Sequence, residues 1–337
     1  GIADVSVDGR FEDLNGDGYQ DIIIFNSASQ NYLYMNDGDS TFTKSNAFGA
    51  SHNTYQVVTL DADGDGDIDV INGRPDESSR LYFNDGTGSF SAGSAIITNL
   101  TSNYAWVYGV ADIDGDGDED LLGGSGDGVA SWIVRNNGDG TFGSRETVDT
   151  SYTDAVYAMA AADLDGDGDQ DLIYAGYDGA NKLSLNETEP VYEEAGLFES
   201  DEIPAGVFDS DSDGDMDMVV MSIIDDETPP TYSLWVNNGA QSYTETTIFS
   251  GFTGFVENVL AVDVDEDGDN DLVLSVDEDD MANQLYINGG SNTFTLSVEA
   301  FGSEADAAKG AEKIDIENDD DWDVIFWNKS SAPILWT

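Results

Sequence analysis

The residues best suited to chemistry are aspartates, and they recur in one pattern. Nine-residue runs begin at Asp13 (DLNGDGYQD), Asp61 (DADGDGDID), Asp112 (DIDGDGDED), Asp163 (DLDGDGDQD), Asp209 (DSDSDGDMD), Asp263 (DVDEDGDND) and Asp315 (DIENDDDWD). Positions 1, 3, 5 and 9 carry side-chain oxygens in every copy, and glycine holds position 6 in six of the seven. A hard cation such as Ca2+ takes about six to eight oxygens at roughly 2.3–2.6 Å. A tight turn offering side chains from 1, 3 and 5, a main-chain carbonyl from 7 and a carboxylate from 9 wraps that shell around one ion. Glycine at 6 lets the chain reverse direction.

The candidate metal residues are therefore Asp13, Asn15, Asp17, Tyr19 and Asp21 in the first loop, and Asp61, Asp63, Asp65, Asp67 and Asp69 in the second. The third has Asp112, Asp114, Asp116, Asp118 and Asp120, and the fourth Asp163, Asp165, Asp167, Asp169 and Asp171. Asp209, Asp211, Asp213, Asp215 and Asp217 form the fifth set, and Asp263, Asp265, Asp267, Asp269 and Asp271 the sixth. The seventh, Asp315, Glu317, Asp319, Asp321 and Asp323, has Glu317 at position 3 and Asp320 in place of the glycine, which makes it the weakest site. Glu266, at position 4 of loop six, is expected to point outward. The count of ions expected is six or seven.

Zinc and copper prefer nitrogen and sulfur, and the chain has one histidine and no cysteine. Mg2+ favours smaller, partly hydrated sites. An EF-hand needs Glu at position 12 between helices. Position 12 here is Asn72, Gly123 or Tyr174, and the flanks read as strands.

The loops start 48, 51, 51, 46, 54 and 52 residues apart, the spacing of a four-stranded propeller blade. A short apolar stretch precedes each loop, as at Val57–Leu60 and Val259–Val262, and a near-continuous apolar run follows. The runs Ile22–Phe25, Leu172–Tyr174, Met218–Met221, Leu272–Leu274 and Val324–Trp327 read as buried strands. A third strand ends in LYMNDG (33–38), LYFNDG (81–86), IVRNNG (133–138), LWVNNG (234–239) or LYINGG (285–290), with Asn-Asp-Gly and Asn-Asn-Gly supplying positive φ. Phe42, Phe90, Phe142, Tyr192, Tyr243 and Phe294 start a fourth strand. The expectation is an all-β, seven-bladed β-propeller of four-stranded blades, a single domain over residues 1–337, with the metal loops between strands 1 and 2. Blade seven lacks a fourth strand. Ile2–Val7, followed by a turn at Asp8-Gly9, either fills that slot or forms the first strand of blade one.

These loops and their spacing resemble the FG-GAP or VCBS-type repeats, the units of integrin α-subunit propellers, of bacterial surface proteins and of a seven-bladed fungal lectin family. The resemblance covers nearly the whole chain. It implies that D-x-D-x-D-G-x-x-D is a calcium site between the first and second strands. The integrin Phe-Gly and Gly-Ala-Pro signatures are only hinted at, in Phe48-Gly49-Ala50 and Phe301-Gly302-Ser303, so the likeness lies nearer the VCBS branch.

The balance of charge narrows the partners. Asp and Glu number 70 against 10 Lys and Arg, a net charge of −60, and 36 of the acids lie in the nine-residue loops. No basic patch exists to neutralise phosphates, which excludes nucleic acid and anionic membranes. No apolar run reaches the roughly 18 residues that span a bilayer. The strand 2–3 and 4–1 connections, opposite the metal loops, vary most between copies, and variable loops on a rigid scaffold carry recognition. Tyr55, Trp106 and Tyr157 stand six residues before the first Asp of loops two, three and four and are candidates to stack on a sugar or peptide, or to pack between blades. Catalysis would rest on His52 or a carboxylate pair, and ten scattered cations suit a polyanion lyase poorly. The function expected is extracellular recognition or adhesion, with a glycan or protein ligand. The alternatives are a polysaccharide-active lyase or glycosidase, and a structural spacer in a larger surface protein.

Overall fold

Apolar runs on either side of each acidic loop fold back on one another as antiparallel strands. The computed structural model describes all residues except 1–5, 27–29, 40, 49–53, 55, 74–78, 92–93, 97–104, 126–129, 149–155, 166, 177–181, 187–191, 195–201, 212, 224–227, 240–241, 279–280, 291, 298–300, 302–306, 317–321, 329–333 and 337. For residues 6–8, 105–108, 125, 157–158, 175–176, 182, 192–194, 309 and 328 it describes the backbone alone.

The strands form seven antiparallel sheets in chain order, each a meander of neighbouring strands, and define a seven-bladed β-propeller. Blade one contains Ser6–Glu12, Asp21–Asn26, Tyr32–Asn36 and Phe42–Ser45. The second strands are the most deeply buried, with every residue of Asp69–Gly73 and Asp271–Val276 inside. That burial on both faces explains their unbroken apolar character. Fourth strands such as Phe42–Ser45 and Tyr243–Ile248 are largely exposed and carry Thr, Lys and Glu, as suits an edge. No helix among the described residues is long and apolar enough to cross a membrane.

Contacts group the chain into two units. One comprises Gly1–Ala161, Asp169–Ala195 and Ile316–Asn318, and the other Ala162–Gly168, Gly196–Asp315 and Asp319–Thr337. In the first, apolar clusters lie between successive blades: Phe25, Leu33, Phe48 and Tyr82 join blades one and two, Leu81 and Trp132 join two and three, and Ile133 and Tyr174 join three and four. In the second, Tyr232, Phe249 and Tyr286 join blades five and six, and Phe301 and Phe326 belong to the cluster of six and seven.

Two expectations change, the turn at Asp8-Gly9 and the start of the fourth strand in blades two and three. Ser6–Glu12 pairs with Asp21–Asn26 as the first strand of blade one, and Asp8-Gly9 lies inside it beside a bulge rather than in a turn. The sheet of blade seven has three strands among the described residues, Ala308–Ile314, Asp323–Asn328 and Ile334–Trp336. Phe90 and Phe142 form isolated bridges to Asn84 and Asn136, and the fourth strands proper are Ser94–Ala95 and Glu146–Thr147. In blade two the Ser91 hydroxyl accepts the Phe83 N–H in place of a main-chain carbonyl, which interrupts the ladder. The Asn-Asp-Gly and Asn-Asn-Gly turns supply positive φ as expected, at their glycines: 71° for Gly38, 73° for Gly86 and 77° for Gly239.

Position 4 is left-handed as well as position 6 in loops one, two, three and six. Gly16, Gly64 and Gly115 have φ of 71°, 74° and 72°, and Glu266 takes 60° at the same place in loop six. A residue with a Cβ is disfavoured there. Glu266→Gly is expected to raise stability by about 1 kcal/mol, read as a higher denaturation midpoint. An unchanged or lower midpoint would show that loop six bears no such strain.

Candidate metal centre

The acidic loops of blades one to six are organised by their own backbone before any ligand is considered. The position-1 carboxylate caps the turn. Its Oδ2 accepts the position-6 N–H from Gly18, Gly66, Gly117, Gly168, Gly214 and Gly268 at 2.9–3.0 Å. Its Oδ1 accepts the position-4 N–H of Gly16, Gly64 and Gly115 at 2.8 Å. Position 5 accepts the N–H of position 7, with Asp17, Asp65, Asp116, Asp213 and Asp267 each at 2.9–3.0 Å. At position 3, Asn15 and Asp165 accept the N–H of Asp17 and Asp167. Side chains at position 7 pack on the glycine of the strand 3–4 turn: a Cβ on Gly86 would lie 2.6 Å from Asp67, and one on Gly38 2.8 Å from Tyr19. Asp118, Asp215 and Asp269 lie against Gly138, Gly239 and Gly290 in the same way. Metal loop and strand 3–4 turn thus share one end of these blades.

Position 9 behaves differently. Asp21, Asp69, Asp120, Asp171, Asp217, Asp271 and Asp323 are all buried. One oxygen accepts the position-2 N–H of the same loop, from Leu14, Ala62, Ile113, Ser210 and Val264 at 2.8–3.3 Å. The other accepts the N–H of the strand-3 asparagine, from Asn36, Asn84, Asn136, Asn186, Asn237 and Asn288 at 2.7–2.8 Å. In blade five the Ser210 hydroxyl also donates to Asp217.

The buried asparagines extend this bridge. Asn36, Asn84, Asn186 and Asn237 donate through Nδ2 to the position-2 carbonyls of other loops, Ile316, Leu14, Ile113 and Leu164. Sequence reasoning took these asparagines for turn formers and missed this role. The signal was there, in an Asn at the same place in every third strand from blade one to blade six.

Among the described residues, five groups of acids have ligand oxygens within 4.8 Å of one another and could hold a metal ion. Four combine positions 1, 3 and 9: Asp61, Asp63 and Asp69; Asp163, Asp165 and Asp171; Asp209, Asp211 and Asp217; Asp263, Asp265 and Asp271. Blade three groups Asp112, Asp114 and Asp116. The donors are all hard oxygens. Asp63 Oδ1 and Asp209 Oδ1 are buried and receive no hydrogen bond, so a cation there would supply the partner they lack. Burial pushes the carboxyls of Asp21 and Asp69 up to about 6, opposed by their two N–H donors and reinforced by the nearby loop acids. Burial and neighbouring acids also raise Asp63, Asp165 and Asp211. Carboxylates crowded in this way favour a bound cation.

Glu317, Asp319 and Asp321 of the seventh loop lie outside the described residues, as do Tyr55 and His52. Trp106 and Tyr157 fall in the first strands Ala105–Ala111 and Val156–Ala162, where the backbone alone is described. Glu266 is exposed, as expected.

The profile of the FG-GAP-like repeat matches residues 13–71, 61–123, 112–174 and 209–274. Each match starts at position 1 of an acidic loop and runs into the second strand of the next blade. Together they take in well over half of the chain, which belongs to the FG-GAP-like repeat family. No curated protein sequence matches it significantly. Among solved structures, it is similar to an Agrocybe aegerita lectin described as specifically recognising non-reducing terminal N-acetylglucosamine. The identity is 18% and the TM-score 0.68, over 99% of this chain and 86% of the lectin. It is also similar to BBS1N, solved in complex with ARL6DN, at 10% identity and a TM-score of 0.63, over 99% of this chain and 93% of that one. At these identities the likeness is one of fold.

Positions 9 and 5 should separate on mutation. Asp69→Ala strands two buried N–H groups at about 1–3 kcal/mol each, so it is expected to destabilise the protein in chelator as well as in metal, where it also removes a carboxylate from the acidic group. Asp65→Ala loses only an exposed cap and is expected to matter chiefly when metal is present. Thermal melts of both variants in the two conditions would show it, and the absence of a cost for Asp69→Ala in chelator would refute the structural role.

Proposed function

We propose that the protein is a calcium-stabilised recognition module, secreted or displayed at a cell surface, that binds a glycan or protein ligand and does not act as a catalyst. The observation that carries the reading is the set of preformed acidic groups, in which Asp63 and Asp209 keep a buried oxygen without a donor. Carboxylates at this spacing suit calcium above smaller or softer ions. The position-7 side chains and turn glycines occupy the metal end of the blades, so the ligand is assigned to the opposite end, where the strand 2–3 and 4–1 connections lie. Tyr55, Trp106 and Tyr157 are the candidate stacking residues. The likeness to a lectin supports a sugar, and the likeness to BBS1N, solved with a protein partner, supports a protein.

Extracellular calcium modules bind with dissociation constants of roughly 10⁻⁴–10⁻³ M. Each site saturated about a hundredfold above its constant adds about 2.7 kcal/mol. Chelator is therefore expected to lower the melting temperature steeply and millimolar calcium to restore it; indifference to both would sink the calcium assignment. For the ligand, a glycan array that includes N-acetylglucosamine-terminated sugars, with a pull-down in millimolar calcium, is expected to give a signal that Trp106→Ala weakens. Blank results in both assays would count against recognition.

A further inference from the structure

Blade three departs from the other blades at one residue. Immediately before the strand-3 asparagine stand Met35, Phe83, Leu185, Val236 and Ile287 in blades one, two, four, five and six, but Arg135 in blade three. The apolar side chains need only packing. A guanidinium beside an acidic loop needs carboxylates.

Arg135 finds them inside the loop. Its Nη1 donates to Asp120 Oδ2 at 2.7 Å and lies 3.6 Å from Asp114 Oδ2, and its Nε lies 3.7 Å from Glu146 Oε2. The Arg135 side chain is 15% exposed and that of Asp120 1%, so the contact is shielded from solvent. Asp114 is position 3 and Asp120 position 9. The guanidinium therefore spans the two carboxylates that combine with position 1 in the acidic groups of blades two, four, five and six. Blade three is the one group that omits position 9 and takes position 5 instead. The bond from the position-2 N–H to this oxygen is also longest here, 3.3 Å from Ile113, against 2.8–3.1 Å for Leu14, Ala62, Ser210 and Val264.

We propose that Arg135 is the built-in cation of blade three, holding Asp114 and Asp120 together where the other loops use a divalent ion. A metal ion bound to these oxygens and a guanidinium hydrogen-bonded to them exclude one another, through like charge and shared lone pairs. Loop three then stays closed without metal, and the chain binds one calcium ion fewer than its acidic groups allow. This inference rests on the calcium reading for the remaining loops.

Two measurements test it. Calorimetric titration of metal-free protein with calcium is expected to show one more ion per chain in Arg135→Met, which copies blade one, than in the parent or in Arg135→Lys. Equal stoichiometry in Arg135→Met and the parent would overturn the proposal. Hydrogen exchange of the parent in chelator needs no variant. The amides of Gly115 and Gly117 are expected to exchange at least tenfold more slowly than those of Gly64 and Gly66, and Arg135→Met to abolish the difference. Equal exchange in the two loops of the parent would also overturn it. Should the parent bind no calcium at all, the calcium reading falls, and the exchange comparison decides the role of Arg135.

Discussion

The carboxylate at position 9 of each acidic loop is the contact on which the blades depend. Its two oxygens accept main-chain N–H groups from two different segments, the start of its own loop and the end of the third strand. A buried charge without partners would be costly, whereas a carboxylate holding two N–H donors is largely satisfied. The strand-3 asparagine carries the connection further, handing its side-chain amide to the loop of another blade. Loop, strand and neighbouring blade are thus tied by one chain of hydrogen bonds, which places the acids whether or not an ion is bound.

Within that frame the loop positions divide the work. Position 1 caps the turn and position 5 caps position 7, while 1, 3 and 9 converge in four of the acidic groups. Burial, reinforced by the converging acids, raises the carboxyl groups of Asp63 and Asp69, and Asp63 Oδ1 has no donor, a state that a cation relieves. Copies of one motif can answer that demand differently. Blade three brings a guanidinium to positions 3 and 9, and blade one replaces one acid by Asn15, whose amide donates to Asp17. Because the repeats share a backbone, such changes alter the electrostatics of one blade without disturbing its fold.

A propeller built on these repeats offers a rigid platform, and its sites arise where the repeats cease to be identical. The acidic-loop end is nearly uniform from blade one to blade six, since the bond from the strand-3 asparagine to position 9 recurs in each. The opposite end is joined by connections of differing length and composition, which is why recognition is assigned there.

Blade number, strand boundaries near the loops and the acidic positions were all legible in the residues, because each follows from local periodicity and from a nine-residue spacing repeated seven times. The burial of Asp271–Val276 was visible in its apolar run. What the residues did not reveal lay in contacts distant along the chain. Asn84 reads as a turn residue until Leu14, seventy positions earlier, is seen to accept its amide. Arg135 reads as an ordinary strand residue until Asp114 and Asp120 are brought beside it. Local sequence determines which residues form loops and strands, since backbone preference and side-chain alternation act over a few residues. Which carboxylate meets which donor is decided only when the sheets stack, because those partners come together through tertiary packing alone.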